Sequence, residues 1–250
     1  MIALRGDYCN LYERVCRRLA PARRLYIDTA EKRLGLPRRR EVEAAELAAR
    51  YAAPSSTCSF LRWAVSNIPD RRVCVLGPLF EGDGLGDCDV IVGVEQVTAL
   101  PYEVDVLTGD LDSLNGAGIH PKYASLYWLV HVHGDNTMLL PNNGVLDRVQ
   151  RDEGIVFTSQ AICLWPVLGI GGFTDGDRLA VFSMYMGASA IALLGFDFDR
   201  AGCVGKAFCN ARAKEEKLRV AREIIWRASM LLGYRILQAS GGVPGVLLVQ

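Results

Sequence analysis

Asp110 and Asp112 stand two residues apart in Thr108-Gly109-Asp110-Leu111-Asp112-Ser113, directly after the apolar run Val104 to Leu107. Carboxylates leaving the end of a buried strand can hold a hard divalent cation and, through it, a polyphosphate. On an extended chain the two face one ligand only if the backbone bends, and Gly109 makes that bend easy. A turn in which Asp112 caps the following residues would use the same letters.

Three later clusters are similarly built. His131-Val132-His133-Gly134-Asp135-Asn136 sets two histidines on one side of a strand, ahead of a helix start whose free N–H groups favour anions. Here His133, Asp135 and Asn136 are candidates to meet phosphate or metal, against the plainer reading that Asp135 or Asn136 caps the helix. Gly171-Gly172-Phe173-Thr174-Asp175-Gly176-Asp177-Arg178 joins flexible backbone, a hydroxyl, acids and a cation. A capping box explains Thr174 and Asp177 on structural grounds, but not the glycine pair, Asp175 or Arg178. Gly195-Phe196-Asp197-Phe198-Asp199 repeats the paired-acid pattern, and Lys206, Arg212, Lys214 and Lys217 offer charge for a phosphate chain. Any one of these cations is more often a solvated side chain. Only three histidines exist and none has a cysteine nearby, which disfavours zinc. The chain lacks GxxxxGK[ST], GxGxxG after a strand and GxSxG, so metal-assisted phosphoryl-type transfer is favoured over covalent catalysis.

The elements that must position these residues follow from hydrophobic periodicity. Tyr8, Leu11, Val15 and Leu19 make one face of a helix. Pro21 can open a second helix running toward Leu34, with Gly35 and Pro37 ending it. Residues 40–52 suit a third helix and 57–66 a short fourth. From residue 71 short apolar runs take over: Val73 to Leu76, Val90 to Val94, Val104 to Leu107, Leu126 to Val132, Ile155 to Phe157, Ala190 to Leu194, and a last one at Val246 to Val249. Their near-continuous apolar character predicts strands covered on both faces. Expected helices start after Gly172, with a Leu179, Phe182, Met186 stripe, and span about 212–232. The fold class is therefore α/β, a mostly parallel sheet with helices on both faces, preceded by an N-terminal helical segment. Residues 1–68 would form that segment and 69–250 the α/β domain. Every polar cluster falls at a strand end, where such sheets bind ligands.

Composition narrows the class further. The 250-residue chain is 50% apolar and carries 28 basic and 28 acidic residues, so nothing global points to nucleic acid or an anionic membrane. Residues 1–50 carry a net +5 and the remainder −5, which reads as a solvated face or an intramolecular partner for the acidic body. No apolar stretch is long enough for a membrane span, and a cytoplasmic, soluble protein is expected. The eight cysteines show no CxxC and read as reduced apolar fillers, with intracellular disulfides left open for a hyperthermophile source. The N-terminal helices show no chemistry and read as a cap or oligomer surface.

Taken together, Thr108 to Ser113, His131 to Asn136, Gly171 to Arg178, Gly187-Ala188 with Leu194 to Phe198, and Lys214 to Leu218 resemble the archaeal 6-hydroxymethyl-7,8-dihydropterin pyrophosphokinases, whose fold is similar to that of thiamin pyrophosphokinases. The resemblance covers about residues 70–235. It implies Mg²⁺-dependent transfer of diphosphate from ATP to the hydroxymethyl group of a reduced pterin, with release of AMP. It also implies that Asp110 and Asp112 organise Mg²⁺ and phosphates, and that His133, Asp135, Asn136 and Asp177 line the same site. Thr174 would join the cofactor-binding residues, and Arg178 with Lys214 or Lys217 would counter phosphate charge. Two loops depart from the family pattern. Leu76-Gly77-Pro78-Leu79-Phe80 lacks a serine, and Gly93-Val94-Glu95-Gln96 stands where Ala-Asp-Gly is usual. They leave two other readings: a diphosphokinase for another acceptor such as thiamin, and a non-catalytic nucleotide-binding or assembly protein.

Overall fold

The computed structural model describes residues 9–82, 84–95, 97, 103–111, 126–137, 140, 154–198, 211–238 and 245–249. Helices come first. α1 (Asn10–Arg18) passes almost directly into α2 (Ala20–Tyr26), with Pro21 in the opening turn, where its missing N–H is harmless. A π-helical stretch, Ile27–Glu31, leads to the short α3 (Lys32–Leu34), closed by Gly35 at φ 64°. α4 (Arg38–Ala49) and α5 (Pro54–Asn67) follow. α5 is longer than the 57–66 helix expected, because Pro54 takes its first turn instead of only ending α4.

The strands are β1 (Arg72–Leu76), β2 (Val90–Val94), β3 (Val106–Asp110), β4 (Tyr127–His131), β5 (Ile155–Ser159), β6 (Leu168–Gly169), β7 (Ala190–Leu194), β8 (Arg235–Gln238) and β9 (Gly245–Val249). They form one sheet in the order β6-β5-β4-β3-β2-β1-β7-β9-β8. The first seven strands run parallel, whereas β9 lies antiparallel to both β7 and β8. Among the described residues two further helices follow, α6 (Asp175–Met186) and α7 (Ala211–Leu232). The α/β class, the parallel sheet and the preceding helices match the sequence expectation. β6 and β8 were not foreseen: β6 is two residues long and β8 follows a helix without a distinctive apolar run. β3 starts and ends later than expected, so Thr108, Gly109 and Asp110 lie on the strand itself rather than after it.

Alternate strand residues feed two cores. Val73, Val75, Val92, Val106, Leu129, Val156 and Ile191 pack against α1, α2, α5, α6 and α7. Cys74, Leu76, Leu107, Val130, Phe157 and Leu194 face Ala45 and Ala48 of α4. The period-2 alternation of a strand thus finds a covered surface on each side. The N-terminal helices supply cover to both. They also hold edge strand β6: Tyr12 Oη donates to the Val167 carbonyl at 2.6 Å, and the Arg23 guanidinium donates to the Gly169 carbonyl at 3.0 Å. Part of the basic charge of this segment is answered inside the molecule, Arg33 pairing with Glu216 at 2.7 Å and Glu223 at 3.3 Å on α7. Among the described residues no helix is long and apolar enough to cross a membrane.

Among the described residues four cysteines are disulfide-bonded, Cys16 to Cys163 and Cys74 to Cys88, which corrects the expectation of reduced fillers for them. Cys9 and Cys58 are buried thiols, as expected of apolar fillers. Cys203 and Cys209 lie outside the described residues.

The strand order reverses between β1 and β7, and there the chain packs closely. A Cβ on Gly176 would come within 2.1 Å of the Phe196 ring, and one on Gly77 within 2.6 Å of the Gly195 carbonyl oxygen. Only glycine lets the start of α6 and the ends of β1 and β7 meet around Phe196.

Candidate active site

Three parallel strands end side by side. Asp110 on β3 pairs in register with His131 on β4, and His131 with Thr158 on β5. His131 is fully buried, with Nδ1 3.3 Å from Thr158 Oγ1. Burial, then the nearby Arg178 cation, pushes its pKa well below the ordinary value, so the imidazole is neutral. His133 emerges beyond the strand. Its Nδ1 accepts the Asp135 N–H at 3.3 Å, which leaves the ring proton on Nε2, 3.8 Å from an Asp110 carboxylate oxygen. The two histidine rings stack at 5.9 Å, on the same side as strand alternation requires. Burial works to raise the Asp110 pKa. His133, His131 and Arg178 outweigh it and hold the carboxyl below the usual carboxylate range. Burial opposes protonation of His133, but its contact with Asp110 raises its proton affinity.

The start of α6 brings the second set of charges. Arg178 is 1% exposed and pairs with Asp175 at 2.6 Å. Burial and the neighbouring Asp110 charge push Asp175 up to about 7. Asp177 is also buried, but it is consumed by the helix cap. Its carboxylate accepts the Phe173 N–H at 2.7 Å, the Thr174 N–H at 2.5 Å and the Thr174 hydroxyl at 2.6 Å. The capping box foreseen from Thr174 and Asp177 is present. The glycine pair has a steric reason. A Cβ on Gly171 would lie 2.7 Å from the Ala22 carbonyl of α2, and one on Gly172 would lie 2.6 Å from Arg178 Cα. Both glycines have positive φ. The loop is thereby pressed between the N-terminal helices and the buried arginine.

The other expected site residues are unevenly placed. Asn136 is buried and serves as a clamp, donating to the His131 carbonyl at 3.1 Å and accepting the His133 N–H at 3.0 Å. Asp135 turns outward to Arg40, 3.6 Å away, and its side chain is 79% exposed. Gly134 to Asn136 form a turn, and most of the helix expected after it falls outside the described residues. Lys217 lies over the Phe173 ring at 5.8 Å, beside the loop that carries Asp175. Lys214, half-buried, precedes it by three residues on α7. Asp112, Asp199 and Lys206 lie outside the described residues. Among the described residues, no group of three or more His, Cys, Asp or Glu is placed to hold a metal ion.

Three further acids belong to this region. Asp175 was legible only as what the capping box left unexplained. Glu95, just past β2, lies against Gly109, where a Cβ would be 2.6 Å from its carboxylate oxygen. Glu41 of α4 accepts the Gly134 N–H. It gave no signal, because a glutamate in an Ala/Glu-rich helix reads as an exposed helix former.

A pH-dependent stability follows from Asp175. Its folded pKa is raised, so the stability it contributes as a neutral acid is fully present below its unfolded value. That contribution is lost as pH rises from 3.8 to about 7. The melting temperature of the wild type should therefore fall relative to Asp175→Asn across that window. A flat or rising difference would refute the assignment.

No family model matches the chain. Two curated relatives do. A 6-hydroxymethyl-7,8-dihydropterin pyrophosphokinase of Pyrococcus furiosus is 39% identical over 105 residues, covering 39% of this chain and 42% of that protein. A protein of the same name from Methanothermobacter thermautotrophicus is 34% identical over 94 residues, covering 38% of each. The matched stretch thus spans about two fifths of the length of these relatives. Over that stretch the chain is similar to archaeal pterin pyrophosphokinases, in agreement with the motifs.

Proposed function

We propose that the chain is a 6-hydroxymethyl-7,8-dihydropterin pyrophosphokinase, a Mg²⁺-dependent diphosphotransferase that uses ATP. The observation that carries this reading is the Asp110 carboxylate, kept ionised at a strand end between His133 and a buried arginine. Such a group suits a hard cation, and Mg²⁺ commonly takes one or two carboxylates, with water and substrate phosphates completing its shell. The oxygen donors Asp110 and Glu95 fit that chemistry, and Asp112 is proposed as a further ligand. Bound there, Mg²⁺ would neutralise phosphate charge. The acceptor hydroxyl gives up its proton to solvent as its oxygen forms a bond to the β-phosphorus of ATP, the bridge between the α- and β-phosphates breaks, and AMP leaves with the bridging oxygen. Little covalent chemistry falls to the protein, and catalysis is positioning and charge stabilisation. Arg178 and Lys217 supply cationic charge to the phosphates, with Lys214 as a second lysine on the same helix. His133 offers a hydrogen bond from its Nε2–H. Asp177 and Thr174 act by holding the α6 start in place, and Asn136 by holding the His133 loop. Asp135 is proposed to reach the site only through the backbone N–H it gives to His133.

The altered loop after β1 supports a second reading of the acceptor alone. Leu79 N–H donates to the Gly195 carbonyl at 3.1 Å and Phe80 is buried, so an apolar group stands where the family carries a serine. Purified protein with Mg²⁺ and ATP is to be offered the reduced pterin, thiamin and a blank, with AMP measured. AMP with the pterin is expected. AMP with thiamin alone would move the acceptor. Mg-ATP binding without AMP from either would make the protein a non-catalytic nucleotide binder.

A further inference from the structure

We infer that Glu41 is a positioning residue: it fixes the loop that aims His133 at Asp110. The inference rests on the proposed site, but not on the identity of the acceptor. Glu41 sits in the first turn of α4, inside a segment whose sequence shows no chemistry, and is 6% exposed. A buried carboxylate is costly unless its oxygens are satisfied, and both are. One oxygen accepts the Gly134 N–H at 3.3 Å, and the other accepts the Gln160 amide at 2.9 Å. Gly134 directly follows His133. Gln160, 5% exposed, directly follows β5. A single side chain therefore bridges the loop after β4 to the end of β5.

The contact is close. A Cβ on Gly134 would lie 2.5 Å from Arg40 Cβ, so only glycine lets the α4 backbone approach the loop this far. From the strand side Asn136 holds the same loop by its bonds to His131 and His133. Glu41 supplies the matching restraint from the helix side. With both in place the Asp135 N–H meets His133 Nδ1, and Nε2 is turned to Asp110. Without Glu41, what the described residues keep on the helix side is the exposed Arg40–Asp135 pair at 3.6 Å, a weak restraint. The N-terminal helices then have a functional reason to pack on the sheet, beyond serving as a cap.

The test uses the full chain with Glu41→Ala, Glu41→Gln and Gln160→Ala. Glutamine keeps an oxygen for Gly134, and the Gln160 amide can turn to accept from it. Glu41→Ala should lower kcat by about 100-fold, the scale of a roughly 1 Å misplacement, with KM for ATP within about twofold. Glu41→Gln should recover most of that loss, and Gln160→Ala should give a smaller fall in kcat. Hydrogen exchange at the Gly134 amide should quicken about tenfold in Glu41→Ala and return toward wild type in Glu41→Gln. Unchanged exchange in Glu41→Ala, or equal losses of kcat in the Ala and Gln variants, overturns the inference. Should Glu41→Ala not fold, an unchanged kcat in Gln160→Ala does so instead. A wild-type protein inactive on every acceptor would instead count against the proposed function, while the exchange arm would still decide the role of Glu41.

Discussion

Asp110→Asn should lower turnover by at least about 100-fold, the usual scale for removing one preorganised electrostatic group from an active site, while leaving the fold intact. The substitution removes a charge at nearly constant volume. It also removes the partner of His133 at 3.8 Å and the charge that helps push Asp175 up to about 7. Asp175 should then ionise more readily and pair more fully with Arg178. The melting temperature should therefore change little while kcat collapses. Steady-state AMP release, measured beside a thermal melt, checks both halves. Near-normal kcat would remove Asp110 from the site, and a large drop in melting temperature would make its role structural.

The largest stability effect should come from Cys16–Cys163. This disulfide joins α1 to the loop after β5 across 147 residues of sequence. In the chain-entropy model a loop of that length stabilises by about 5 kcal/mol, against about 3 kcal/mol for a loop of roughly 15 residues. The Cys74–Cys88 bridge spans 14 residues and belongs to the second class. For a chain of this size 5 kcal/mol corresponds to a fall in melting temperature of about 10–20 °C. A Cys16→Ser, Cys163→Ser double variant should show that fall, and Cys74→Ser, Cys88→Ser a smaller one. Mass spectrometry of the alkylated protein identifies the bonds independently. Equal melting temperatures for the first variant and the wild type would mean that the bridge adds nothing to folding. The N-terminal helices keep Tyr12 and Arg23 bonded to the β6 region in any case, so unfolding of the whole chain is not expected.

The sheet was legible because parallel strands are buried on both faces and leave continuous apolar runs in the sequence. Their order, with β7 beside β1, was not legible, since nothing local specifies which strands become neighbours. The two short or late strands, β6 and β8, carry too few apolar residues to stand out. At the site, the alternation of His131 and His133 on one side was readable from strand geometry. The different fates of Asp175 and Asp177 were not fully readable. The capping box identified the residue that satisfies backbone N–H groups, and only the fold reveals that its neighbour two positions earlier meets Arg178. Asp135 looked equivalent to His133 in sequence, yet a turn sends its side chain to Arg40 on the outside. Glu41 and the Cys16–Cys163 bridge were hidden because they depend on contacts between residues roughly 90 to 150 positions apart, and the Cys74–Cys88 bridge because spacing does not encode its pairing.

The most direct test of the central claim is a crystal structure of the protein with Mg²⁺ and a non-hydrolysable ATP analogue. Expected is a cation about 2.0–2.1 Å from an Asp110 carboxylate oxygen, with the phosphates reaching toward Arg178 and Lys217. An analogue bound instead in the cleft of about 600 Å³ lined by Arg33, Arg219, Arg222, Glu223 and Trp226, with no cation at Asp110, would contradict it.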